Sequence, residues 1–205
     1  MLKMKTVIPF FVILCVSFFP IMAQQTDSDT SPLPYEEIPA YPDEYSAGNI
    51  IGRMIDGLGY RYYWATKDLR SEDLKYKPSE DGRSMEETIT HLYGLSLTIV
   101  NAPQSIPNIR PADWSNLTFE EKRALTLKNF QKASELTKAS RQEDIDNFKT
   151  IFQSGDRKSE FPFWNMLNGP IADAIYHTGQ VVLMRRASGN PMHPGVSVLI
   201  GKTRQ

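Results

Sequence analysis

The chain has 205 residues and a formal net charge of −1, with 40% apolar and 23% charged residues. That is enough for one domain with a proper core, and the near-neutral balance gives no electrostatic case for nucleic acid. Its single cysteine excludes a disulfide scaffold, a thiolate metal site and, if Cys15 is removed with a leader, a cysteine nucleophile.

Lys3 and Lys5 precede an uncharged run over residues 6–23 that contains Phe10, Phe11, Val12, Ile13 and Leu14 and ends at Ile21, Met22 and Ala23. This pattern predicts a secretory signal peptide over residues 1–23, with a retained single-span anchor as the alternative. Leu14 before Cys15 lacks the small residue that lipidation wants. Cleavage before Gln24 would leave a cysteine-free chain, two fewer than the 23 basic residues against 24 acidic, exported to the periplasm or secreted, with no membrane span. Residues 24–44 carry Pro32, Pro34, Pro39 and Pro42 and read as a tether, or as an arm lying on the domain formed by residues 45–205.

A first helix is predicted over 47–69, with Ile51, Ile55, Leu58, Tyr62, Ala65 and Leu69 at helical spacing. Its aromatic residues, Tyr62 among them, serve either as core or as the wall of a pocket. Residues 70–83 read as a connection. Ser84 and Glu87 form a capping box that opens the second helix, in which Met85, Ile89, Leu92, Ser96 and Ile99 face inward. His91 lies on the neighbouring stripe with Gly94, whose missing side chain predicts open space beside the imidazole.

Pro103, Pro107 and Pro111 break residues 101–117 into a long crossover. Thr118 and Glu121 give a second capping box and a third helix to about Ala139, with Ala124, Leu127, Phe130, Ala133 and Leu136 as buried positions. Residues 148–152 alternate as a short strand does, and Ser154, Gly155 and Asp156 turn it. A helical turn over 163–167 and a bend at Gly169-Pro170 lead into the last helix, residues 170–186. The run Val196 to Ile200 reads as an extended strap across the helices, and His193 in this tail reads as no ligand.

The last helix carries the chemistry. Asp173, His177, Gln180 and Met184 follow at steps of four, three and four and share a stripe about 60° wide. Ala174 and Val181 flank it on one side and Tyr176 and Leu183 on the other, so the polar groups are expected to sit among packed apolar neighbours. An imidazole and a carboxylate one turn apart can ligate a divalent metal, and Gln180 can orient a ligand. A third ligand has to come from another helix; of the three histidines His91 lies inside one, where it serves either as a hydrogen-bonded core residue or as a group facing a pocket. Four long amphipathic helices with a long second connection predict an all-α four-helix bundle. No glycine-rich phosphate loop, serine nucleophile elbow or catalytic carboxylate pair stands in the sequence.

Gly82 to Leu92, a serine-capped helix with a histidine seven residues in, resembles the second-helix signature of the DinB-like superfamily. Asp173 to Val181 resembles its last-helix signature, in which histidine, three residues, histidine, two residues and glutamine is the usual order. The likeness spans about residues 47–186. It implies a DinB-type bundle and a metal triad on His91, Asp173 and His177, with Gln180, Tyr176 and Tyr62 lining the site. Asp173 stands where the family more often has a histidine; two imidazoles and one carboxylate still form a facial set for zinc, nickel, iron or manganese. The family includes metal-dependent transferases and isomerases that use low-molecular-weight thiols. By that likeness the chain is expected to activate a water or a thiol for transfer to, or hydrolysis of, a small substrate, as a monomer or a homodimer joined through helix faces. The alternative is a non-catalytic bundle that binds a small ligand or partner, its polar cluster being structural.

Overall fold

A computed structural model describes residues 32–204; the expected signal peptide lies outside them. Four long helices make the frame: α1 (Ala47–Thr66), α3 (Met85–Asn101), α4 (Phe119–Lys138) and α7 (Ala172–Ala187). Between them stand three short helices, α2 (Ser71–Lys75), α5 (Gln142–Asn147) and α6 (Trp164–Met166). Both expected capping boxes are present, Ser84 with Glu87 and Thr118 with Glu121. Each hydroxyl cap takes up an otherwise unpaired backbone N–H, a stabilisation of about 1 kcal/mol.

Side-chain bonds between helices set their directions. Ser134 donates to the Gly52 carbonyl and Arg123 to that of Tyr63, so α4 runs antiparallel to α1. Lys122 donates to Thr90 and Asn129 to Ser96, so α4 runs parallel to α3. Arg185, near the end of α7, donates to the carbonyls of Trp64 and Ala65 at the end of α1. The first and last helices therefore run together, and α3 opposes both. Parallel neighbours need a connection as long as a helix, which is why residues 102–118 cross the molecule.

The all-α expectation is overturned. The crossover carries β1 (Asn108–Ile109), which pairs parallel to β2 (Lys149–Ser154), and β2 pairs antiparallel to β3 (Arg157–Pro162). A second, two-stranded sheet joins β4 (Val196–Ser197) to β5 (Lys202–Thr203). The class is mixed α/β, not a pure four-helix bundle. The cause is backbone pairing in the connections: Asn108 donates its side-chain amide to Ile151, and the Arg110 N–H reaches the Gln153 carbonyl at 2.7 Å. The tail likewise turns back as a hairpin instead of lying extended. Its register places Val198, Leu199 and Ile200 in the turn, where all three are exposed, and Gly201 takes φ 69°.

The described part of the proline-rich segment is an arm packed on α1. Tyr35 holds a left-handed φ of 75°, uncommon for an aromatic residue. Its ring occupies the place of the side chain that Gly59 lacks, and its hydroxyl donates to buried Asp56 at 3.1 Å. Lys138 closes the other carboxylate oxygen of Asp56.

A second buried carboxylate locks α2 to the end of α7. Asp73 has no exposed surface and accepts from the Arg70 backbone and guanidinium, from the Ser188 hydroxyl at 2.6 Å and from the Asn190 amide at 2.7 Å. The Arg70 guanidinium, helped by these neutral donors, holds the Asp73 carboxyl well below the usual carboxylate range. A carboxyl shifted down on folding stabilises the fold above its unfolded value of about 3.9, and that contribution is lost as pH falls towards the folded value. Asp73→Asn should therefore lower the unfolding free energy at pH 7 by about 2–4 kcal/mol and flatten the acid limb of the stability profile below pH 4. Chemical unfolding of both proteins between pH 2 and 7 checks this.

Candidate metal centre

The helix that carries the site begins with a break. Gly169 lies outside the helical region, at φ −99° and ψ −105°, within a wide π turn over Leu167–Ile171, and Pro170 has no N–H to donate. The helix restarts at Ala172 and brings Asp173 into its first turn. Ala174, Thr178 and Val181 face the core, and the Thr178 hydroxyl is satisfied by the Ala174 carbonyl. Their burial fixes the rotation of α7 and sets the stripe of Asp173, His177 and Gln180 at the seam with α3.

There the structure brings His91, Asp173 and His177 together across two helices. One oxygen of Asp173 lies 3.2 Å from His91 Nε2 and the other 3.3 Å from His177 Nε2. The two imidazole rings meet edge to face, 4.7 Å between centroids. One ligand atom from each of the three residues lies within 4.8 Å of the others. Around a metal with bonds of about 2.1 Å, neighbouring ligand atoms sit about 3.0–3.4 Å apart, so both contacts of Asp173 already have that spacing.

The proton count makes the arrangement specific. His177 Nδ1 is 2.7 Å from Gln180 Oε1, an atom that only accepts, so Nδ1 carries the proton. In the neutral ring with that proton, Nε2 is an acceptor aimed at a carboxylate oxygen, itself an acceptor. Two lone pairs at 3.3 Å repel, and a cation between them turns the repulsion into attraction. Burial pushes the His91 pKa below its ordinary value, and the neighbouring His177 adds to this, while the bond to Asp173 opposes it. His91 is thereby kept in the neutral form that ligates metals.

The site is half open. The Asp173 side chain is 43% exposed and that of His91 33%, whereas His177 is 13% exposed. The expectation of packed neighbours holds on one flank only: Ala174 and Val181 are buried, but Tyr176 and Leu183 are exposed. Tyr176 stands at the rim, its ring 5.3 Å from that of His177. Tyr62 is not in the site. It is fully buried edge-on to Phe130 of α4, where burial raises its hydroxyl to about 12. His193 lies against Trp64 and accepts from the Gly195 N–H.

The open space expected beside His91 is filled. A side chain on Gly94 would meet the six-membered ring of Trp114, which comes from the crossover and stacks edge-on to Tyr93. Trp114, packed on Gly94 about one turn along α3 from His91, is the residue that sequence reasoning missed; a glycine inside a helix opposite a tryptophan in a proline-rich loop was the available signal.

No family model matches the chain, and neither does any curated protein or solved structure. Among the described residues no helix is long and apolar enough to cross a membrane.

Because Gln180 sets the tautomer of His177, Gln180→Leu should weaken zinc binding about 10- to 100-fold while leaving the melting temperature nearly unchanged. Competition against a chromophoric chelator measures the first and circular dichroism the second.

Proposed function

We propose that this chain is an exported metal-dependent enzyme of DinB-like type that acts on a small molecule, with His91, Asp173 and His177 holding one divalent transition metal. The observation that carries the reading is that His177 Nε2 and His91 Nε2, from two helices, each lie within 3.3 Å of an oxygen of the same Asp173 carboxylate. Two nitrogens and one oxygen suit zinc, nickel, iron or manganese. Such an ion, when bound, lowers the pKa of a water or thiol towards neutrality, which supplies a nucleophile for hydrolysis or group transfer.

The chain's own residues have the complementary tasks. His91 and His177 would each supply Nε2 to the ion, Asp173 would bring the charge, and Gln180 holds the ring of His177 through Nδ1. The exposure of Asp173 leaves the outer side of the site to substrate and water. Tyr176 offers a ring face next to it. A site outside the cytoplasm would lack the usual thiol cofactors, which favours hydrolysis over thiol transfer.

A second reading has one observation in its favour. The contact of His91 with Asp173 is within hydrogen-bond distance, so this pair can be satisfied without a metal, as in a protein that only binds a ligand or partner.

Metal analysis separates the two. The protein from Gln24 onward, purified without an affinity tag, should carry close to one equivalent of a transition metal at pH 7.5, and His177→Ala should carry none. Dialysis to pH 5 should strip the metal, because imidazoles protonate below about pH 6.5 and a proton on Nε2 replaces the ion. No metal in the wild type, even after incubation with zinc, nickel and manganese, contradicts the metalloenzyme reading and leaves the ligand-binding one.

A further inference from the structure

Three hollows follow one another along the outer face of α1, on a side of the molecule that the metal centre does not use. The first, about 550 Å³, lies between the arm and the C-terminal hairpin and is lined by Ile38, Tyr41, Arg53, Ile200 and Lys202 among others. The second, about 360 Å³, shares Tyr41 and Arg53 with it and adds Tyr45, Ile50 and Met54. The third, about 420 Å³, shares Ile50 with the second and runs beneath Phe163 and Trp164 to Ile145 and Leu167. Because each hollow shares wall residues with the next, they form one elongated groove. The stretch of α1 from Ala47 to Met54 alone accounts for roughly 10 Å of it.

The groove leaves large apolar side chains in water. Tyr41, Tyr45, Ile50, Met54 and Trp164 are all exposed, Trp164 to 77%. A contiguous apolar strip of this kind is costly unless something covers it. Its chemistry is graded from end to end. At the hairpin end stand two cations. Arg53 donates one N–H to the Pro39 carbonyl and stacks on Tyr41 at 4.5 Å, and among the described residues no carboxylate lies within ion-pair distance of it. Lys202 has only a loose 3.5 Å contact with exposed Glu37.

The opposite end offers an anion nothing. Asp146 is held by Gln142 at 2.7 Å, and the remaining wall is isoleucine, leucine, proline and aromatic ring. Glu44 offsets Arg53 in the middle hollow, so the lining is net positive only at the hairpin end, where Arg53 and Lys202 stand against Glu37 alone.

The geometry points to a binding site for a long-chain anionic amphiphile, in its simplest form a fatty carboxylate. The head pairs with Arg53 and Lys202, and the chain lies over Met54 and Ile50 with its end beneath Trp164. A guanidinium that keeps donors beyond its bond to Pro39 suits a carboxylate head, and an elongated groove with mainly apolar walls beyond that head suits a flexible chain. This assignment is independent of the metal centre.

Dodecanoate below its critical micelle concentration is the probe, with 1-dodecanol as its uncharged counterpart, followed by calorimetry and tryptophan emission. One saturable dodecanoate site is expected, with a blue shift that Trp164→Phe removes while calorimetric binding persists. Arg53→Leu should weaken dodecanoate about tenfold and leave 1-dodecanol unchanged. Ile50→Asp should abolish binding of both probes; Ile50 is half exposed, so the variant folds, as its thermal melt will show. Absence of saturable binding to the wild type overturns the proposal, as does dodecanoate binding that ignores Ile50→Asp. A dimer that Ile50→Asp dissociates, with no dodecanoate bound by either protein, overturns it too and assigns the face to a second copy of the chain.

Discussion

A carboxylate with no contact with water fixes where the last helix ends. Asp73 cannot stay charged in the interior without donors, and those donors come from both ends of the chain: Arg70 on its own side, Ser188 and Asn190 beyond α7. Asn190 also accepts from Arg185, which in turn reaches the end of α1. One network thus ties α2, α7 and α1 at a single end of the helices. With that end pinned and Ala174, Thr178 and Val181 buried, α7 has one allowed rotation, and it presents His177 and Asp173 to His91. The candidate metal site depends on this because its three side chains come from two helices that are not consecutive in sequence. Any slip of α7 by one residue would turn the carboxylate and imidazole about 100° away from α3.

Much of the frame was legible because its determinants are local. Ser84 with Glu87 and Thr118 with Glu121 announce helix starts through hydrogen bonds three residues long. Ile51, Ile55, Leu58 and Leu92 are buried as their periodicity requires. Alternation over residues 148–152 marked a strand that runs over Lys149–Ser154, and the glycine turn after it is there, Gly155 with φ 57°. What escaped depends on partners distant in sequence. β1 has two residues, and β3 is exposed throughout with no alternation of burial, so neither carries a pattern. They exist because β2 offers edges to pair with, and this is what moves the class from all-α to mixed. Helix α4 also turns differently from its apolar spacing: Thr126, Ser134 and Thr137 are buried beside Leu127, Phe130 and Ala133. Hydroxyls can go inward when helix carbonyls satisfy them, as Thr137 and Ser134 show.

The candidate site shows the same division. Spacing of four residues placed Asp173 and His177 together, and a step of three added Gln180, because these are properties of one helix. That His91 faces them is a tertiary fact, which the sequence only suggested. Tyr62 and Tyr176 were grouped as neighbours of the site, yet one lies in the core against Phe130 and the other stands in solvent beside His177. An aromatic residue on a helix packs or projects according to what faces it, and periodicity alone did not say which. Trp114 filling the place above Gly94 is the converse case, a loop residue that completes a helix surface.

The central claim is that two imidazoles and one carboxylate of this chain hold a single metal with room left for an exchangeable ligand. Zinc-edge X-ray absorption on the zinc-loaded protein measures that directly. The account predicts two histidine nitrogens at about 2.0–2.1 Å together with oxygen ligands at about 2.0–2.2 Å, one of them a water that an added anion displaces. A shell with fewer than two imidazoles, or zinc bound with the same spectrum after Asp173→Ala and His177→Ala, would contradict it.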